Sequence, residues 1–224
     1  MPYKALLNNH TPAQLTLDIQ NTRCYSKCTE YYSALIANKN EINTFEVKLR
    51  TLAPTSEIDL SKIYMRKIKH IQDPKISEFN YKVLHLILPC NMNLFRWGKQ
   101  ESDICDLCGE KEDIPHLIYY CHHAKRVWVK ISQAIQKDIN LNKIVYGVDI
   151  QNETYTISFI SYLLYKHWLL KKKECKLRTW TSLQILMIKE LNYRAAIFKI
   201  IGRNEISMLL TNIEQHFVLG YEYN

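Results

Sequence analysis

The stretch CDLCGEKEDIPHLIYYC, residues 105–121, constrains what this chain can fold into more than any other feature. It has the form C-x2-C-x7-H-x4-C, with Cys105, Cys108, His116 and Cys121 as its fixed points. Three sulfurs and one imidazole make a closed tetrahedral zinc set. Two cysteines so spaced fit one ion because the backbone between them can turn tightly, and Gly109 supplies the permissive φ for that turn. The second half carries a geometric condition, because residues five apart on an ideal helix point about 140° away from each other. A helix through His116 must therefore distort or stop before Cys121. Pro115 suits the opening of a helical turn, and Leu117, Ile118 and Tyr120 are expected to pack behind the site. On a regular helix His116 would align with His123, but that is about 10.5 Å of rise, too far for one ion to bridge. Cys121 is thus the expected fourth ligand, with His122 the fallback. The set is full, which leaves no open position for a catalytic ion, and nothing singles out Glu110, Glu112 or Asp113 as a base.

The remaining cysteines fit the same picture. The chain has seven, an odd count, and opens on the polar MPYKALLNNH, so neither a disulfide scaffold nor a secretory signal is expected. Reduced thiols and an intracellular setting, nucleus and/or cytoplasm, follow. Cys24 and Cys28 share a helix face without two further ligands, and with Cys90 and Cys175 they read as core or free thiols. The most apolar run, Ile157 to Leu170, is broken by Lys166 and His167 and is too short to cross a bilayer. It reads as a buried helix, and no membrane partner is expected.

Only five glycines and six prolines punctuate the sequence, and apolar residues recur at helical spacing. The expected fold is mainly α, helical bundle segments with an embedded CCHC zinc knuckle. Helices are expected near Tyr25 to Ala37, through Ile63 and Ile68, and from Pro74 to Pro89 along Ile76, Phe79, Val83 and Ile87. Leu94 to Trp97 forms a shorter one. Val127, Trp128, Ile131 and Ile135 continue the pattern, Asn140 to Gly147 signals a break, and three helices follow at Tyr155 to Lys172, Lys176 to Ile200 and Asn204 to Phe217. This divides the chain into a helical region 1–99, a zinc knuckle with its following helix at 100–135, and a helical region 136–224. The helix around Ile63 carries Lys62, Arg66, Lys67 and Lys69 with no acid, so one side is expected to face solvent or phosphate.

The formal charge is +8, which favours a polyanionic partner or, equally, Lys-rich solvated faces. Lys125, Arg126 and Lys130 follow directly on Cys121, so a folded zinc loop would fix their direction. Lys171, Lys172, Lys173 and Arg178 lie between Trp168 and Trp180, a mixture suited to phosphate contact with base stacking, or to a solvated helix face. Tyr119 and Tyr120 can stack on bases, with at least one expected inside. His85 reads as a structural histidine, while His122 and His123 can support the zinc or touch phosphate.

The run FNYKVLHLILPCNMNLFRWGKQESDICDLCGEKEDIPHLIYYCHHAKRVW resembles the zinc-binding region near the C-terminus of reverse transcriptases from LINE-type (non-LTR) retrotransposons. That family has a helix F-x-x-K-[VI]-L-H-x-I-L-P, then N, L, a W-G pair, C-x-x-C-G, an acidic stretch, H-L, C and a closing W. This chain matches through Phe79, Lys82, Leu84, His85, Pro89, Leu94, Trp97, Gly98, the four ligands, Gly109, Leu117 and Trp128. It departs in carrying His122 where the family commonly has Pro, and in lacking a Tyr-x-Asp-Asp motif or an endonuclease signature. The resemblance implies a non-catalytic C-terminal fragment of a retrotransposon polyprotein, binding RNA template or target DNA alongside the remainder of that polyprotein, with no small-molecule substrate. The alternative is a zinc-stabilised protein-interaction module. A two-zinc ubiquitin-ligase type would need about eight ligands, and this chain supplies four.

Overall fold

The computed structural model describes residues 39–54, 58–173 and 179–218. The expected helix at 25–37, Cys24, Cys28, Cys175, Lys176 and Arg178 lie outside the described residues. The chain divides into two compact units, Met1–Phe45 and Glu46–Asn224, and the zinc loop belongs to the second.

Helices dominate the described residues, as the sequence periodicity requires, and the zinc loop contributes one isolated antiparallel bridge, Ile104 to Lys111. Helix α1, Lys39–Leu52, was not signalled as an element, although Leu49 and Leu52 bury at helical spacing. Its end is pinned by the Tyr146 hydroxyl, which donates to the carbonyls of Leu49 and Ala53. Helix α2, Leu60–Tyr64, is capped by Asp59 and runs into a π-helical turn, Met65–Lys69. That turn overturns part of the expectation for its basic face. Lys67 is only 2 % exposed, and its Nζ donates to the Ile144 carbonyl and to Ser158 Oγ, both at 2.7 Å. With two neutral acceptors and no carboxylate, burial lowers its pKa to about 7. Arg66 pairs with Asp149, while Lys62 and Lys69 are exposed.

Helix α3, Pro74–Leu84, starts where Asp73 accepts from the amides of Lys75 and Ile76 and Pro74 occupies the first turn. It stops short of Pro89. Leu86 takes a positive φ of 57°, and Ile87 and Leu88 both donate back to the Lys82 carbonyl. The Leu86 and Leu88 carbonyls freed by this exit both accept from one side chain, Asn93 Nδ2, at 3.0 and 2.8 Å. Asn93 lies on α4, Asn91–Arg96, which begins three residues earlier than Leu94 because Cys90 adopts the extended backbone of an N-cap.

Helix α5, His122–Ile135, follows the zinc loop, and α6, Leu141–Tyr146, occupies the stretch expected as a break. The break signals are its caps: the Asn140 side chain accepts from the Lys143 amide, and Gly147 ends the helix at φ +76°. Helix α7, Gln151–Lys173, is the buried helix expected from the apolar run. Residues 154–161 are all buried, so it has no solvent face there, and three of its hydroxyls are satisfied locally. Thr156 and Ser161 donate to the carbonyls four residues back, and Thr154 exchanges hydrogen bonds with the Val148 backbone. Helices α8, Trp180–Ile200, and α9, Asn204–Val218, form an antiparallel pair, with α8 opened by a Thr179 and Ser182 capping box. Among the described residues no helix is long and apolar enough to cross a membrane.

Candidate metal centre

The zinc loop begins with a tight backbone turn. Cys105 donates to the Glu110 carbonyl at 2.7 Å, Gly109 donates back to the Cys105 carbonyl at 3.0 Å, and Gly109 takes φ +73°. This places Cys105 and Cys108 on one side of the turn. Asp113 then caps the next helical turn, its Oδ1 accepting from the His116 amide at 2.7 Å, with Pro115 within the first turn. The required distortion takes a definite form: residues His116–Tyr120 are π-helical, and Cys121 N–H closes an i→i+5 bond to the His116 carbonyl at 2.8 Å. A wide turn stacks residues five apart as an α-turn stacks residues four apart, so His116 and Cys121 share a side. Cys121 has φ −56° and ψ 141°, which ends the turn and makes it the N-cap of α5.

The four side chains converge. One ligand atom from each of Cys105, Cys108, His116 and Cys121 lies within 4.8 Å of the others, a group that could hold a metal ion. Cys105 Sγ and Cys121 Sγ are 3.9 Å apart, and Cys108 Sγ is 3.3 Å from His116 Nε2. Tetrahedral zinc with its usual bond lengths separates two sulfurs by about 3.8 Å and a sulfur from a nitrogen by about 3.6 Å. The donor set therefore fits zinc, and the sulfur separation is almost twice the roughly 2.05 Å of a disulfide. His116 Nδ1 faces Glu110 Oε2 at 3.5 Å, which leaves Nε2 for the centre and supplies the carboxylate partner that ligating histidines typically have. The crowding is visible in the protons. Desolvation and then the Cys105 sulfur push the Cys108 thiol up, and the Cys105 sulfur holds His116 above its usual range.

Leu117 and Ile118 pack behind the centre as expected. Tyr120 does not: it is 47 % exposed, its ring edge-on to the half-buried Tyr119 at 5.1 Å. His122 is exposed on the first turn of α5, and the His123 ring lies edge-on to Trp180.

Two contacts joining the loop to the helices have no local sequence signal. Glu112, fully buried, accepts at Oε1 from the Asn91 amide at 3.1 Å and from Trp168 Nε1 at 2.7 Å. Trp128 Nε1 donates to the Ile118 carbonyl within the π-turn at 2.7 Å. Glu112 and Trp168 are 56 residues apart, so only the folded chain pairs them.

The basic residues fall into different settings. Lys125 is exposed on the first turn of α5, while the Arg126 guanidinium lies over the Trp180 ring at 4.0 Å. Lys130 Nζ donates to the His216 carbonyl at 2.9 Å, and desolvation followed by the charge of Arg126 lowers its pKa. Lys172 Nζ donates to Gln100 Oε1 at 2.9 Å, Lys171 is half-buried and Lys173 is exposed. Burial holds the thiol of Cys90 up at about 11, and His85 stacks on Tyr81 with its pKa lowered to about 4, chiefly by burial, so both have structural surroundings.

Residues 27–128 match the model of a family described as zinc-binding in reverse transcriptase. That segment contains all four converging ligands, so the resemblance drawn from the motif holds at the level of the reverse-transcriptase zinc-binding family, and zinc is the metal it implies. No curated protein and no solved structure matches the chain.

Proposed function

We propose, from the reverse-transcriptase family match, that this chain is a non-catalytic, nucleic-acid-binding segment of a LINE-type retrotransposon reverse transcriptase. In this reading Cys105, Cys108, His116 and Cys121 hold one structural zinc ion, and the ion organises a surface for RNA or DNA. One observation carries the reading: Cys121 is both a donor of the set and the N-cap of α5. Whatever holds its sulfur also sets the start of the helix bearing Lys125 and Arg126. Lys125 is available for phosphate, and the stacked guanidinium of Arg126 keeps its outer N–H groups for the same purpose. Lys130 is committed to the end of α9 and serves to anchor α5.

A protein-interaction role is the second reading, favoured by the exposed Ile185, Tyr193, Ile200, Ile201 and Met208 on α8, α9 and the turn between them. Salt separates the two. Zinc-loaded protein titrated with RNA and with duplex DNA should bind more weakly as salt rises, with a log–log slope of about −0.9 per neutralised phosphate on the duplex. The Lys125→Ala variant should lower that slope by about one. Absence of binding to either nucleic acid by the zinc-loaded chain would overturn the proposal in favour of the second reading.

A further inference from the structure

Helix α4 inverts the usual pattern of a surface helix. Its buried positions are Asn91 and Asn93, whose side chains donate to the carbonyls of Ile104, Leu86 and Leu88, while Phe95 and Trp97 stand 49 % and 48 % exposed. Large apolar groups outside and amides inside reverse what burial would select, so the rings are not spent on the core. The backbone that carries them is closed tightly. Gly98 N–H bonds the Phe95 carbonyl and Lys99 N–H bonds the Leu94 carbonyl, a Schellman closure with Gly98 at φ +65° that fixes Trp97 at the helix end. Little backbone order remains to be lost when a ligand lands there.

The surroundings are cationic. Residues 95–99 are all exposed and include Arg96 and Lys99. The bond from Lys172 to Gln100 brings the lysine-rich end of α7 to this segment across 72 residues of sequence. Of the acids that follow, Glu101 is exposed and Asp103 is engaged by Lys111 at 3.1 Å. Two exposed rings on a closed backbone, among cations, match a ligand that is polyanionic and offers free aromatic faces. Duplex DNA hides those faces in its stack, and an acidic peptide lacks them.

We infer that Phe95 and Trp97, with Arg96, Lys99 and Lys172, form a stacking platform for single-stranded nucleic acid. The inference rests on the reading of the chain as nucleic-acid-binding and names, through other residues, the strandedness of what it holds. The test uses the zinc-loaded full chain with oligo-dT, oligo-rU and a mixed-sequence DNA duplex, read by anisotropy and tryptophan fluorescence. Single strands should quench tryptophan emission, and the dT and rU arms identify the strand chemistry preferred. Phe95→Ala and Trp97→Ala should each weaken single-strand binding about 5- to 100-fold and leave duplex binding within about twofold. Trp97→Phe, which keeps a ring, should retain binding and lose the quench; it also serves if Trp97→Ala fails to keep its zinc and helicity. If both ring variants bind single strands as tightly as wild type, or lose single strand and duplex equally, the platform is overturned and the rings are left to a protein partner. Wild-type binding to duplex with no gain on single strands sinks the platform alone. Binding to neither sinks the broader reading with it.

Discussion

The zinc loop and helix α7 both take a defined conformation, and they achieve it by opposite means. Around α7 order comes from burial: eight consecutive residues, 154–161, are enclosed, and their serine and threonine hydroxyls are satisfied by nearby backbone or, at Ser158, by Lys67. Removing apolar area from water at about 25 cal/mol per Å² sustains such a helix without an ion. Residues 106–111 have no comparable core, and burial in the rest of the loop is confined to Cys105 and a few side chains such as Ile114, Leu117 and Ile118. Cys108, Gly109 and Glu110 are exposed, and the loop rests on a short bridge, a capped π-turn and four converging ligand atoms. The contrast teaches that one chain holds two independent sources of stability, joined at a seam made by Glu112, Trp168 and Trp128.

The most severe way to break the comparison is to remove the ion. Chelation, or Cys105→Ser, is expected to cost the loop most of the roughly 10–16 kcal/mol that structural zinc typically supplies, so hydrogen exchange should become fast through 104–121 and the start of α5. Amides in the middle of α7 should stay protected. Equal loss of protection in both regions would show one cooperative unit, not two.

Lys67 offers a test confined to the helical region. Its folded pKa of about 7 lies below the unfolded value of 10.5, so the unfolded chain binds the extra proton between those limits and stability rises with pH there. Below about pH 7 both states are protonated and the cost of burying the charge is present in full; above about 10.5 it vanishes. Lys67→Met should therefore be more stable than wild type by a few kcal/mol at pH 6, with the difference shrinking toward pH 10 in denaturant titrations. Parallel pH profiles for the two proteins would refute the assignment.

The seam gives the smallest effect. Trp168→Phe keeps an aromatic group but removes part of the buried indole volume and one N–H donor from the buried Glu112 carboxylate, the hydrogen bond alone costing about 1–3 kcal/mol. Zinc stoichiometry should be unchanged and the thermal midpoint lower. Loss of zinc in this variant would mean that the seam, and not the four ligands, decides the loop's order.

These differences track what was legible in the sequence. The spacing C-x2-C-x7-H-x4-C named the four residues that converge, and the arithmetic of a 100° helical step showed that the stretch after His116 had to deform. It did not reveal that the deformation is a π-turn, because that depends on Asp113 capping one end and Cys121 extending at the other. Helical periodicity located α3, α5, α7, α8 and α9. It misses α6, whose Asn140 and Gly147 look like loop residues and are its two caps. The burial of Lys67 was illegible, since a lysine in a basic run looks solvated until Ser158 and the Ile144 carbonyl arrive from 91 and 77 residues away. The inversion of α4 was hidden for the same reason: the carbonyls that draw Asn91 and Asn93 inward belong to loops on either side.

Helix α5 is mechanically a beam with two supports. At its far end Asn212 Nδ2 donates to the Ala134 carbonyl at 2.8 Å and Lys130 holds α9; at its near end Cys121 carries a ligand sulfur and accepts from the Lys125 amide at its carbonyl, Trp128 holds the Ile118 carbonyl and Arg126 lies on Trp180. Fourteen residues make a beam of about 21 Å. If the near-end supports were all released, a tilt of about 10° about the α9 clamp would displace the tip by nearly 4 Å, from ~21 Å of length. Lys125 rides close to that tip, whereas Ala134 sits at the clamp and scarcely moves.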